Sequence, residues 1–406
     1  MQVLSSVTQK KWLLTKEIEE GKADPAEQEA RRVLSDLFRC NNLVVLSGLG
    51  TSLCVKDPAT GVRLAPTMWD LWTSVQANYQ GATGKPWDSI LKLVRHAADD
   101  TNLETLLSRC RLAEDFLEGD ELKSLKEFIT IAETDIKGKV DFLKAEQALP
   151  AHLEFLRRVA RRSNRKSRAK IFTTNYDRCF EEAGRQGRYV VIDGFSQTQP
   201  QTFDSVYFTY DIVRRDREGD TSDYIPNVFH LYKVHGSVDW ERDHASGEVR
   251  KSNNPKNPLL IYPRSSKYEL AFAQPYLEMM SALQVALREP NTGLLVIGFG
   301  FNDNHLAEPI LSAIRSNLAL KVAIVSPMLY EKPVANPNPL VAIPGLPGEY
   351  ATNPYLKRIT SLIMGGDARL SLLGCGFEEL IPYIPDIMAE TDLEIHLERV
   401  RRLEAQ

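Results

Sequence analysis

Several things are scarce in this chain, and each scarcity excludes something. Across 406 residues no apolar run approaches the roughly 20 residues that span a bilayer, so no membrane helix is expected. The start, Met1-Gln2-Val3-Leu4-Ser5, has no basic stretch leading into an apolar one. No secretory signal is therefore expected, and the protein reads as cytoplasmic. Cysteine is rare: Cys40, Cys54, Cys110, Cys179 and Cys375 are odd in number, and no two stand at Cys-x-x-Cys spacing. That argues against a disulfide framework and a thiolate zinc site, and leaves small buried hydrophobes as their expected use. Excess charge of one sign is also missing. With 50 Lys and Arg against 54 Asp and Glu, the net charge of −4 gives no global pull toward nucleic acid or anionic membrane. No internal repeat is visible. The length suits one large domain with an insertion, or two domains.

What is present is a set of short strands ending in small or polar residues. Lys170-Ile171-Phe172-Thr173 is β-branched and aromatic after a polar connector, and reads as a buried strand. Thr174-Asn175-Tyr176-Asp177 leaves it, and Arg178–Arg185 reads as a helix. Leu43–Leu46 is a second strand, followed by Ser47-Gly48-Leu49-Gly50-Thr51-Ser52. Leu231–Val234 leads into His235-Gly236-Ser237. Leu294–Ile297 leads into Gly298-Phe299-Gly300-Phe301-Asn302-Asp303. Such residues at the carboxyl ends of strands sit where α/β sheets bind ligands, although each also has a plainer use as a helix cap. A helix from about His305 to Asn317 joins Leu294–Ile297 to a further strand, Lys321–Val325. That β-α-β unit implies a parallel sheet. The first glycine turn is not a full G-x-G-x-x-G, because position 53 is Leu, and it is not a phosphate loop ending in Lys-Ser/Thr. Its glycines still let backbone approach a phosphate, and a helix starting there would aim free N–H groups at a pyrophosphate.

In this order the four motifs resemble the sirtuin superfamily of NAD-consuming proteins. The resemblance covers roughly Leu43–Pro327, with an unmatched stretch between Met68 and Ala169. The closer likeness is to the sirtuin-like NAD hydrolases of prokaryotic antiphage defence, and Asn102-Leu103-Glu104-Thr105-Leu106-Leu107-Ser108 resembles a segment common in that branch. The resemblance implies an α/β fold with a Rossmann-like, sirtuin-like parallel sheet, and NAD as substrate. Asn175 would position a water or a ribose hydroxyl, its amide donating and accepting together. His235 would take a proton near neutral pH. Asp177 would bond the nicotinamide carboxamide, with Thr174 beside it in the cofactor site. Gly48, Gly50, Thr51 and Ser52 would cradle the dinucleotide. Gly298, Gly300 and Asn302 would meet the adenosine ribose and phosphates, and Ser326 would reach the adenine end. His305 reads as a helix-start residue, not a catalyst.

The pattern departs from protein deacetylases in two places. No cysteine lies between His235 and Gly298, where zinc-ribbon sirtuins carry four, so no zinc is expected. The G-I-P-D-F-R segment that follows the first glycine motif in deacetylases is absent, which puts an acyl-lysine groove in doubt. Water then becomes the natural nucleophile, with nicotinamide and ADP-ribose as products. Such an activity depletes cellular NAD and must be gated. The resemblance implies gating by homo-oligomerisation or by a partner such as a HerA-type hexameric ATPase/translocase. Two alternatives stay open: an NAD- or ADP-ribose-sensing module without turnover, and transfer of ADP-ribose to a protein.

The remaining chain is read more coarsely. Residues 1–23 look like a polar helix or a loose arm. Asp24-Pro25-Ala26-Glu27 starts a helix running to about Cys40. Met68–Tyr79, Trp87–His96, Asn102–Cys110 and Asp141–Ala148 have helical spacing, with Trp69 and Trp72 expected in a core. His152–Lys170 reads as a helix that turns basic through Arg157, Arg158, Arg161, Arg162, Arg165, Lys166 and Arg168. A solvated face is the plain reading and a nucleic-acid contact through Arg157–Arg168 the sharper one. Short strands are expected near Tyr189–Ile192, Val206–Thr209 and Leu259–Tyr262, and a helix over Tyr276–Arg288. Proline-rich Met328–Pro354 reads as a long irregular loop, and Phe377–Gln406 as two helices. The division that follows is a discontinuous NAD-binding core at 1–52 and 169–330, a helical insertion at 53–168, and a loop with C-terminal helices at 331–406.

Overall fold

The chain opens with a strand, β1 (Gln2–Ser5), where a polar helix or loose arm was expected. Val3 and Leu4 are fully buried, and two apolar residues next to each other suffice for a strand covered on both faces. In this computed structural model, residues 1–8, 11–15, 24–144, 147–162, 166–215, 222–243, 245–255, 258–260, 274–330 and 352–386 are described. β2 (Leu13–Leu14) pairs with the outer edge of β1. Asp24 then caps α1 (Pro25–Phe38), accepting from the N–H groups of Ala26 and Glu27 at 2.7 and 3.2 Å, as its position before Pro25 foretold. β3 (Asn42–Ser47) follows.

Four helices come next: α2 (Met68–Thr83), α3 (Trp87–Leu93), α4 (Leu103–Ala113) and α5 (Gly119–Val140). They share their own apolar cluster, built around Trp72, Tyr79, Trp87 and Phe128. Trp72 is buried as expected, but Trp69 is 59% exposed. The helical reading of Asp141–Ala148 is not met. α5 stops at Val140, Phe142 turns toward the cavity described below, and Leu143 packs on the main core.

The chain then returns to the sheet through α6 (Pro150–Ala160), β4 (Lys170–Thr173), α7 (Cys179–Gln186) and β5 (Val190–Ile192). The expected basic helix ends early, at Ala160, and its cations are engaged inside the molecule. Arg162 is buried and donates to the carbonyls of Phe38, Cys40 and Asn41, closing the carboxyl end of α1 where cations are favoured. Arg157 pairs with Glu154 and Asp386, Arg158 with Glu154, and Arg168 with Asp211. Lys166 donates to the Arg39 carbonyl; Arg165 lies outside the described residues. Among the described residues, Arg157, Arg158, Arg162, Lys166 and Arg168 are thus each partnered within the protein, and the nucleic-acid contact weighed beside a solvated face gains no support from them.

Val206–Thr209 is not a strand. Asp204 accepts from Val206 N–H and folds Ser205–Thr209 into a 3-10 turn. β6 (Val213–Arg215) and β7 (Ser222–Tyr224) form a small ribbon. β8 (Val228–Lys233) rejoins the main sheet, and β9 (Gly236–Arg242), β10 (Val249–Lys251) and β11 (Pro258–Leu260) make a separate three-stranded antiparallel sheet. α8 (Tyr276–Arg288), β12 (Thr292–Ile297), α9 (Asn304–Ser316) and β13 (Lys321–Val325) complete the expected β-α-β passage. Past the proline-rich stretch, α10 (Pro354–Met364), β14 (Leu370–Leu373) and α11 (Phe377–Leu380) follow. Residues 331–351 of that stretch, and the last helix expected within Phe377–Gln406, lie outside the described residues.

The strands of the main sheet run in the order β2-β1-β14-β13-β12-β3-β4-β8-β5. Every pairing from β14 to β5 is parallel. The sheet therefore extends to residues 370–373, beyond the boundary at 330 read from the sequence, and β14 carries β1 antiparallel on its edge. Both faces are covered, as a parallel sheet requires. Val44 and Leu46 of β3 face one core, with α8, α9 and α10; Leu43 and Val45 face the other, with α1, α6 and α7. This is a Rossmann-like α/β arrangement. From β3 the chain passes to β4 on one side, and it later returns to β12 on the other. The crevice between β3 and β12 is thus the point where the winding reverses, and such points bind ligands in sheets of this kind.

Candidate active site

Two glycine turns fill that crevice. The expected helix after β3 is only a 3-10 turn, Leu49–Thr51. Gly48 N–H donates to Ile297 O at 2.9 Å and Gly50 N–H to Gly298 O at 3.1 Å, while Thr51 and Ser52 N–H close the turn on Gly48 and Leu49. These N–H groups are thus bonded within the protein, not aimed at a phosphate. The glycines serve first to let two backbones touch.

Asn175 stands at the centre. Thr174 N–H continues the sheet by donating to Ser47 O at 2.9 Å, and the chain then leaves β4. The Asn175 amide Nδ2 donates to Gly48 O at 3.0 Å and Ser52 Oγ at 2.8 Å, with Thr51 Oγ1 at 3.3 Å. Both amide protons are thus engaged within the protein, which leaves the carbonyl oxygen as the amide's acceptor in a residue that lines the cavity. Thr51 and Ser52 are fully buried. They hold Asn175 and do not themselves line the cavity. Ser52 Oγ in turn donates to Asp177 Oδ2 at 2.7 Å, and Asp177 Oδ1 accepts from Cys179 N–H at 3.0 Å. Asp177 lines the cavity, but its oxygens already support the loop; a carboxamide would use a remaining lone pair.

A buried lysine that the sequence reading passed over locks this loop from below. Lys233, 2% exposed, donates from Nζ to the Tyr176 carbonyl, the Asp177 carbonyl and Glu181 Oε1. Burial raises the Glu181 carboxyl above its ordinary value, and the ammonium opposes that rise.

His235 sits between β8 and β9, where the chain passes from the large sheet to the small one. It is 3% exposed, and Gly236 after it takes φ +85° to make the corner. Its Nε2 lies 3.0 Å from Nε2 of His305. Burial first, and the neighbouring ring second, hold His235 well below the ordinary imidazole value. Burial brings His305 down to about 4. Both rings are therefore neutral at pH 7, and one must carry the Nε2 proton while the other presents a lone pair. His305 does begin a helix, as expected, but it also partners His235.

These groups face one cavity of about 290 Å³, with Gly48, Thr174, Asn175, Asp177, His235, Gly298, Gly300 and Asn302 in its walls. A second lobe of about 370 Å³ is lined by Gly50, Gly298, Gly300, Asn302 and Ser326. The two share Leu49, Gly298, Gly300 and Asn302 in their walls, so they lie side by side along the late glycine turn. Ser326 also accepts from Met328 N–H. The sequence reading missed Glu104 and Asp303, which line the first lobe. Burial, then the charge of Asp303, pushes Glu104 up to about 8, and burial pushes Asp303 up to about 6. Asn353 was also missed. It caps α10 with its Oδ1 and donates from Nδ2 to Phe301 O at 2.9 Å, bracing the late glycine turn. Among the described residues, no group of His, Cys, Asp and Glu is placed to hold a metal ion, and no helix is long and apolar enough to cross a membrane.

Residues 169–333 match a SIR2-like domain. That stretch carries Thr174–Asp177, His235, the Gly298 turn, Asp303, His305 and Ser326. The first glycine turn and Glu104 lie outside it and reach the site only through the fold. No curated protein matches the chain. Among solved structures the chain is similar to a Sir2 protein with a deacetylated p53 peptide and 3′-O-acetyl ADP ribose. The two share 13% identity at a TM-score of 0.33, over 87% of this chain and 96% of that one. A likeness that loose adds nothing to the strand order and registers given above.

Proposed function

We propose that this protein is an NAD hydrolase that cleaves the bond between nicotinamide and ribose. The observation that carries the reading is the convergence of Asn175 and His235 on one cavity beside the clasped glycine turns. Charge supports it. Among the described residues the first lobe is lined by Glu104, Asp177 and Asp303 and by no Lys or Arg, which suits the cationic nicotinamide ring. The adenosine part would lie along Gly298–Asn302 toward Ser326.

The chemistry follows from the groups present. The C1′–N bond breaks with its electron pair leaving on nicotinamide, which departs neutral, so no strong acid is needed. Positive charge develops on the ribose, as in other glycoside cleavages. The Asn175 carbonyl oxygen accepts from a ribose hydroxyl and fixes the ring. His235, kept neutral by burial, accepts a hydrogen bond from a ribose hydroxyl as charge develops, the hydroxyl keeping its proton. Asp177 accepts from the carboxamide. Water adds at C1′ and loses a proton, giving ADP-ribose. Tyr176 and Phe142 help wall off bulk water.

In the cell this activity would deplete NAD in antiphage defence, held in check by self-assembly or by a HerA-type ATPase. The test is release of nicotinamide and ADP-ribose from NAD by the purified chain, alongside Asn175→Ala and His235→Ala. Release by the parent and its loss in both variants is expected. NAD binding without release leaves a gated enzyme or a sensing module, which repeating the assay with the neighbouring gene products separates; ADP-ribose attached to protein would favour the transferase.

A further inference from the structure

Glu104 enters the cavity from the inserted helices, not from the sheet. It is the second residue of α4, whose start is fixed by Asn102 Oδ1 accepting from Thr105 N–H at 3.0 Å. It belongs to the Asn102–Ser108 segment. Tyr176, the neighbour of Asn175 in sequence, donates from its hydroxyl to Glu104 Oε1 at 3.4 Å. Asp303 lines the same cavity from the start of α9, close enough for its charge to act on Glu104. The hydrolysis reading leaves one proton without a destination, that of the attacking water. His235 is poorly suited to it, since its Nε2 faces His305 and burial weakens it as a base.

Resting on the hydrolase reading, we propose that the Glu104–Asp303 carboxyl pair is the general base that receives the proton of the attacking water. The water oxygen forms its bond to C1′ as the nicotinamide bond breaks. One of its protons passes to the pair and then to solvent. Two carboxyl groups in one desolvated pocket cannot both ionise readily, and their shifts, one to about 6 and one to about 8, leave the pair with a single negative charge at neutral pH. That charge also lies beside the positive ribose. Among the described residues, the other titratable groups around the pair are Tyr176 against Glu104, Asp177 and His235 in the same cavity wall, and Tyr276 and His305 near Asp303. The inserted helices would then complete the catalytic site, and their position would govern whether water is captured.

Bond cleavage and water capture are separable. Full-length protein is incubated with NAD and isotopically labelled nicotinamide. Label entering NAD reports cleavage and re-formation of the glycosidic bond, and ADP-ribose reports capture by water. Glu104→Gln and Asp303→Asn are expected to lower ADP-ribose formation about 100-fold or more, the usual contribution of a general base, with exchange equal to or above that of the parent. Glu104→Asp should recover part of the hydrolysis. A parallel fall of exchange and hydrolysis, or unchanged hydrolysis in both variants, overturns the proposal. A parent that neither releases nor exchanges nicotinamide instead removes the hydrolase reading, and this proposal with it.

Discussion

Gly50 and Gly298 meet backbone to backbone. A Cβ on Gly50 would lie 2.5 Å from Gly298 Cα, and a Cβ on Gly298 would lie 2.5 Å from Gly50 Cα. Gly298 also takes φ +62°, which disfavours any side chain. The two turns, some 250 residues apart in sequence, are therefore one structural unit. Gly50→Ala and Gly298→Ala should each destabilise the protein by about 1–3 kcal/mol through overpacking, with Gly298→Ala the worse. Their effects should not add in the double variant, because both crowd the same contact. Urea denaturation of the three variants measures this; simple additivity would contradict the clasp.

Lys233 gives a second expectation. It is buried, and its ammonium meets two carbonyls and Glu181 beneath the Asn175 loop. Lys233→Met should cost about 3 kcal/mol, because it leaves the half-buried Glu181 and two loop carbonyls without their cation. Lys233→Met with Glu181→Leu should recover much of that stability while leaving the loop poorly held. Stability restored together with full nicotinamide release would show that the lysine does not position the loop.

A third concerns pH. His152 is fully buried, neither ring nitrogen has a partner among the described residues, and the ring stands edge-on to Phe180 and Phe377 at 5.2 and 5.1 Å. Burial brings it down to about 4 from an ordinary 6.5. Below pH 6.5 the unfolded chain takes up this proton and the folded chain does not, down to about 4. This histidine therefore costs stability as pH falls through that window and nothing above it. His152→Phe should raise the melting temperature more at pH 5 than at pH 7.5. An equal rise at both would mean that packing, not protonation, carries the effect.

The parts of this architecture legible in the sequence are those with a local signature. The apolar runs of β3, β4, β12 and β13 announce strands, and Asp24-Pro25 announces α1. The meeting of Asn175 and His235 was read from motif resemblance, and the fold places both on one cavity. The misses have a common physical cause. β1 is recognisable only by its partner β14, more than 360 residues away. Glu104, Asp303, Lys233 and Asn353 are ordinary polar residues in ordinary local settings, and their meaning comes from contacts across the fold. The basic run after Arg157 misleads for the same reason: a string of cations looks solvated until Arg162 is seen against the carboxyl end of α1.

The central claim is tested most directly by incubating the purified chain with NAD in ¹⁸O-water and weighing the products. The account predicts unlabelled nicotinamide and ADP-ribose carrying one ¹⁸O, both absent with Asn175→Ala and His235→Ala. Intact NAD recovered from protein that binds it, or ADP-ribose found on protein in place of the labelled free product, would contradict it.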